Sequence, residues 1–172
     1  MFKLDPVGHE TVLYAFTGGA DGANPYGGVV RDAAGNLYGT TENGGINPQR
    51  YCFGPCGVLF KLDMSGKETV LHSFTGPDGA NPIASLTQDA SGSFYGTTQW
   101  GGSGYGVVFK LDTSGKETVL YAFPGEGTDG ANPRAGVIPH SAGNIYGTTS
   151  AGGAFACPWS GFGCGVVFKL TP

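Results

Sequence analysis

Apolar and polar side chains alternate along "GVVFKLD" (106–112): Val107, Phe109 and Leu111 share one side of an extended chain, Val108 and Lys110 the other. A period of two over a run rich in β-branched and aromatic residues predicts a strand. Its neighbours "ASLTQDA" (84–90), "SFYGTTQ" (93–99) and "ETVLYAF" (117–123) read the same way. Turn chemistry separates them. "DASGS" and "DTSGK" each join an aspartate able to close an Asx-turn to a glycine that tolerates positive φ. Upstream, "GGVVRDA", "GNLYGTT", "GVLFKLD" and "ETVLHSF" give the same succession of four. No window carries an apolar stripe at helical spacing, so the chain is predicted to be all-β.

The units recur in wording as well as in pattern. "GNLYGTT" (35–41) returns as "GSFYGTT" (92–98) and "GNIYGTT" (143–149), while "DGANP" begins at Asp21, Asp78 and Asp129. The "FKL" phenylalanines are Phe2, Phe60, Phe109 and Phe168. They stand 58, 49 and 59 residues apart, and self-similarity on the scale of about 40 to 50 residues points to propellers or arrays, whose units cannot bury their hydrophobic faces alone. With the strands lettered A to D, blade 1 covers about residues 26–74, blade 2 about 83–123 and blade 3 about 134–171. Extra length always falls between strands B and C. Pro139 in the third A strand fits an inner edge strand, where no ladder donor is needed.

The succession of Val, Asp, Gly-Asn and Tyr before "FKLD" resembles the NHL-type propeller repeat. The joint occurrence of "LYAFTG", "DGANP", "NLYGTT" with "GG", and "GVVFKLD" is similar to the GloVer tandem repeat of exported bacterial proteins. That resemblance spans practically the whole chain. It implies a repeat architecture and brings no assigned activity.

Residues 10–16 read as a D strand with no A, B or C before it, and the last unit, ending "GVVFKLTP", lacks a D. The N-terminal strand 10–16 is therefore expected to complete blade 3. Three blades fall below the usual four to eight. An NHL-like blade suits six, so the expected form is a homodimer that closes the ring by strand exchange, C₂ being the commonest symmetry. A closed three-bladed ring and an open fragment with a sticky edge are the alternatives.

Composition narrows the class. The 33 glycines in 172 residues far exceed the usual ~7% and fit many tight turns. A hydrophobic share of 40% with 12% aromatics supports a folded core. Nine scattered Lys and Arg and a net charge of −4 leave no footprint for nucleic acid. No apolar run approaches the ~20 residues of a membrane helix. Met1 runs straight into a repeat without a signal peptide, which reads as an excised piece of a longer repeat protein or a start codon placed by hand. Four cysteines, two in each long loop, favour an oxidising compartment and an exported or cell-surface parent.

Strand parity places the D–A and B–C loops on one face and the short A–B and C–D turns on the other. The B–C loops hold Tyr51, Phe53, Trp100, Tyr105, Phe155, Trp159 and Phe162 among glycines. Of these, Tyr51, Trp100, Tyr105 and Trp159 are candidates for a carbohydrate-stacking platform; alternatively the rings pack over the blades. Asp21, Asp78 and Asp129, with Asn24, Asn81 and Asn132, are candidate Ca²⁺ ligands near the axis, or simply turn residues. Cys52 with Cys56 and Cys157 with Cys164 are expected to form disulfides within their loops; a four-thiolate zinc site or a cross-loop bridge are the alternatives.

The threonines of "GTT" are expected to serve the sheet. No Ser-His-Asp or Cys-His arrangement is visible, and His9, His72 and His140 occupy three different repeat positions. These features describe a non-catalytic propeller scaffold, a structural or assembly segment of an exported bacterial protein, with no cofactor beyond the Ca²⁺ candidate. A lectin-like module using the aromatic loops is one alternative. A propeller hydrolase or lyase with Glu42, Glu126 and aspartates converging in a central channel is another.

Overall fold

The computed structural model describes residues 1–46, 52, 54–125, 128–155, 157–158 and 163–171. In chain order the strands are β1 (Phe2–Leu4), β2 (Glu10–Val12), β3 (Val30–Arg31), β4 (Leu37–Thr41), β5 (Val58–Leu62), β6 (Glu68–Ser73), β7 (Thr87–Gln88) and β8 (Phe94–Thr98). There follow β9 (Val107–Leu111), β10 (Glu117–Ala122), β11 (Gly130–Ala131), β12 (Ile138–Pro139), β13 (Ile145–Thr148), β14 (Ala151–Gly152) and β15 (Val167–Leu170). Two four-stranded antiparallel meanders, β3-β4-β5-β6 and β7-β8-β9-β10, are the first two blades; β12-β13-β15 is a third with three strands. Pro139 sits on the edge strand of that sheet, as its missing amide requires.

The repeated phrase is explained residue by residue. Tyr38 and Tyr95 donate their hydroxyls to Asp32 and Asp89 in the A–B turns. Gly39, Gly96 and Gly147 lie opposite Phe60, Phe109 and Phe168 across the B–C ladder. A Cβ on Gly96 would stand 2.5 Å from the Phe109 ring, so the ring occupies the place of a side chain. The first threonine reaches the next blade: Thr40 donates to the Ala84 carbonyl and Thr97 to that of Ala135. The second clamps the loop it opens. Thr41 Oγ1 accepts the Val58 amide and donates to the Asn43 carbonyl; Thr98 and Thr149 do the same. The bonding between strands expected of these threonines is made by the second of each pair, while the first bonds to the neighbouring blade.

The turns on the opposite face are uniform because one carboxylate organises each. Asp63 accepts the amides of Ser65 and Lys67, and Asp112 those of Ser114 and Lys116. Hydrogen bonds from the serine hydroxyl and these amides hold both carboxyls below the usual range.

Two expectations change. The A strands are only two residues long, because the segment before each is drawn to its neighbour: Gly28 donates to Ser85 Oγ, and Gly27 lies against the Ala84 carbonyl. The N-terminal D strand does have a C strand before it, since β1 pairs with β2 in the register Phe2↔Val12, Lys3↔Thr11, Leu4↔Glu10. The same pairing joins Phe60 to Val70 and Phe109 to Val119 within blades 1 and 2. The "FKL" run Phe2–Leu4 is thus the C strand of this partial unit. Within one chain β2 therefore lies on β1, not on β15.

The core sits between blades rather than inside them. Phe74, at the end of β6, meets Phe109 of the next blade edge-on at 5.2 Å; Phe123 meets Phe168 at 5.3 Å and Phe16 meets Phe60 at 5.0 Å. Leu59, Leu86, Phe94, Val107 and Leu111 join the first of these contacts, and Val108, Val137 and Ile145 the second. A single blade is thin, so each sheet gains burial only from its neighbours.

Candidate functional site

Each "DGANP" segment is a clasp between blades. Asn24, Asn81 and Asn132 all have positive φ, 57°, 55° and 54°, a conformation asparagine tolerates better than most residues. Ahead of the asparagine, Ala23 and Ala80 pair with Asn43 and Trp100 of the B–C loop in the same blade, and β11 pairs with β14. In the second and third segments the asparagine turns back to the preceding blade. The Asn81 amide donates to the Cys56 carbonyl and its side chain to that of Glu42; Asn132 binds Tyr105 and Gln99 in the same way.

The three aspartates do not form a common ring. Each belongs to its own junction, where it accepts a hydrogen bond from the D strand before it: Tyr14 hydroxyl to Asp21, His72 to Asp78, Tyr121 hydroxyl to Asp129. Asp78 also takes the Thr75 amide and hydroxyl at 2.7 and 2.9 Å. Among the described residues only Asp78 belongs to a close group of three ligand-type side chains. His72, Asp78 and Glu117 hold donor atoms all within 4.8 Å of one another, between blades 1 and 2. Burial pushes the Asp78 carboxyl up, but the bonds from His72 and Thr75 outweigh it and its pKa lies below the usual value. Glu117 moves the opposite way. Burial, with a smaller opposing effect of His72 and a push from Asp78, raises it to about 7. His72 and Glu117 escaped the sequence reading, although one signal was present: His72 stands where the sister repeats have Tyr14 and Tyr121.

The aromatic candidates separate. Trp100 is 41% exposed and Tyr105 half-buried, and both line a cleft of about 440 Å³ with Asn132, Arg134 and Ser150. Phe155 is exposed on the third B–C loop. Tyr51, Phe53, Trp159, Phe162 and Glu126 lie outside the described residues. Cys52 is bonded to Cys56 and Cys157 to Cys164, with Cα separations of 5.4 and 4.9 Å, so the bridges close within loops. Among the described residues no helix is long and apolar enough to cross a membrane.

Four-stranded meanders that share a core between neighbouring sheets define a β-propeller-type repeat scaffold. Two solved structures are similar to this chain, and the second agrees with it at the level of fold. Virginiamycin B lyase from Staphylococcus aureus is similar at 14% identity and a TM-score of 0.49, over 85% of this chain and 40% of that one. A protein provisionally assigned as a gluconolactonase is similar at 18% identity and a TM-score of 0.50, over 98% of this chain and 55% of that one. The chain thus spans about half the length of these proteins. No curated protein matches it in sequence. The profile of the Gloeobacter/Verrucomicrobia repeat matches residues 1–172, and the chain belongs to that family.

Proposed function

We propose that this chain is a non-catalytic, structural segment of an exported or cell-surface bacterial protein, and that it assembles with a second copy into a closed ring. The observation that carries the reading is Val167, which is 82% exposed, whereas its repeat equivalents Leu59 and Val108 are fully buried. Thr148 is likewise exposed where Thr40 and Thr97 are buried. The opposite end has the matching deficit. Val29 is 44% exposed against 4% for Leu86 and 1% for Val137, and Asn24 and Pro25 face solvent where Pro82 and Pro133 are buried. The back of blade 3 and the front of blade 1 are the two halves of a junction already formed twice inside the chain. Two copies satisfy both halves by a two-fold axis, and twice three blades falls in the usual range of four to eight. In that ring β2 of one copy exchanges β1 for the partner's β15, whose "FKL" offers the same register. The two disulfides support an oxidising compartment.

Light scattering on the purified chain tests the assembly. A mass of about twice 17.6 kDa is expected across a wide concentration range. Val167→Lys should yield monomer, because it puts a charge in the junction while changing nothing inside one chain. Thr113→Lys, at an exposed turn position of blade 2, which has a neighbouring blade of the same chain on each side, should stay dimeric. A wild-type monomer, or a dimer indifferent to Val167→Lys, would sink the proposal.

The cleft beside Trp100 and Tyr105 supports a second reading, a carbohydrate-binding module. A glycan array gives the decision: binding lost in Trp100→Ala favours it, and a blank array removes it.

A further inference from the structure

We infer that His72, Asp78 and Glu117 form a binding site for a divalent transition ion, zinc foremost, clamped between blades 1 and 2. One imidazole nitrogen and two carboxylates match the ligand set of zinc; a nitrogen donor disfavours Ca²⁺, which prefers oxygen throughout. The geometry is nearly assembled. His72 Nε2 lies 2.9 Å from Asp78 Oδ2, and the Glu117 oxygen completes a triangle no wider than 4.8 Å. The other oxygen of Asp78, Oδ1, is held by the Thr75 amide and hydroxyl, the kind of support that orients a metal-bound carboxylate. Glu117 Oε1 is buried and has no hydrogen-bond partner, so it lacks the donor or cation that burial demands. His72 and Asp78 each keep about a fifth of their side-chain surface open, which leaves solvent a route to a fourth position.

The repeat supplies an internal control. At the preceding junction Glu68 also carries a buried, unpartnered oxygen, and it faces Asp21 and Tyr14. The carboxylate pair is therefore a feature of the repeat. A phenol hydroxyl donates a proton to that pair, whereas an imidazole nitrogen can give its lone pair to a metal. Only the second junction makes this exchange, and it does so at the one D-strand position where histidine replaces tyrosine.

The test uses the whole oxidised chain, stripped with chelator and titrated with Zn²⁺ by calorimetry. Bound metal is counted by elemental analysis, and Co²⁺ absorption reports tetrahedral nitrogen–oxygen coordination. One zinc per chain is expected. His72→Tyr installs the sister residue and keeps a hydroxyl for Asp78. It should weaken binding by more than the roughly 10- to 100-fold that loss of an outer-shell partner costs, and Thr75→Val should fall within that range. Glu117→Gln, of nearly the same shape, decides the matter if His72→Tyr fails to fold, and should lose binding to a similar extent. Absence of zinc binding by the wild type would overturn the site, leaving a hydrogen-bonded His–Asp pair. Unchanged binding in His72→Tyr or Glu117→Gln would also overturn it, placing the ion elsewhere. The site lies within one chain, so its failure and that of ring closure are separately visible.

Discussion

Replacing Gly96 by alanine examines the central claim about the repeated phrase, that its glycine is a seat for a phenylalanine ring. The new Cβ would lie 2.5 and 2.9 Å from two Phe109 ring carbons and 3.0 Å from Leu86 Cδ2, against about 3.5–4.0 Å for a relaxed carbon contact. The ring has nowhere to retreat. Phe109 is fully buried and meets Phe74 edge-on at 5.2 Å. Overpacking of this kind costs about 1–3 kcal/mol, and the backbone entropy saved by leaving glycine returns about 0.5–1 kcal/mol. A net loss of about 1 kcal/mol is expected, which moves a urea midpoint down by about 0.5 M at the usual dependence of 1–3 kcal/mol per molar. Gly115→Ala is the control. That turn glycine has a φ of +85° and no atom within 4 Å of the added Cβ. Its cost is therefore the left-handed backbone term alone, about 1–2 kcal/mol, with no steric coupling to any neighbour. Phe109→Leu should relieve the Gly96→Ala clash, giving a coupling of about 1 kcal/mol or more in the double-mutant cycle. Strict additivity of Gly96→Ala and Phe109→Leu would refute the ring-seat account, whatever the single variants cost.

Phe74→Ala and Phe123→Ala, which empty the contacts between blades, should each cost about 3–5 kcal/mol in the same urea assay; Phe16→Ala, partly exposed, should cost clearly less. Glu117 has a raised pKa, so the folded state holds its proton better than the unfolded state, and stability is lost as pH rises from 4.5 to about 7. In metal-free buffer Glu117→Gln should gain about 1–2 kcal/mol over the wild type at pH 8, after discounting for solvent screening, and nothing at pH 4; equal gains at both values would contradict the shift. Thiol titration of the unfolded, unreduced chain should find almost no free thiol. Because Cys56 is fully buried in the core between blades and Cys164 is exposed, Cys56→Ser should be the more destabilising of the two. If the proposed dimer forms, removal of residues 1–16 should convert it into open or aggregated species, seen by light scattering.

The sequence by itself determined the local elements. Strand alternation, Asx-turn aspartates and the phrase repeated three times set the all-β class and the succession of strands within a unit, because these depend on periods of a few residues. The within-loop disulfides were also legible, since each pair of cysteines is four or seven residues apart. Tertiary structure alone decided what each repeated residue touches. The asparagine of "DGANP" could be read as a turn former, yet its bonds to the previous blade depend on how two sheets stack. Asp78 could be proposed as a metal ligand, yet its companions are His72, six residues away, and Glu117, thirty-nine residues away in another blade. Asp21, Asp78 and Asp129, candidate ligands or turn residues in the sequence, each bond to the D strand of a separate junction, because identical positions fall in successive blades. A repeat brings unlike positions of neighbouring units together, and no one-dimensional pattern records that offset.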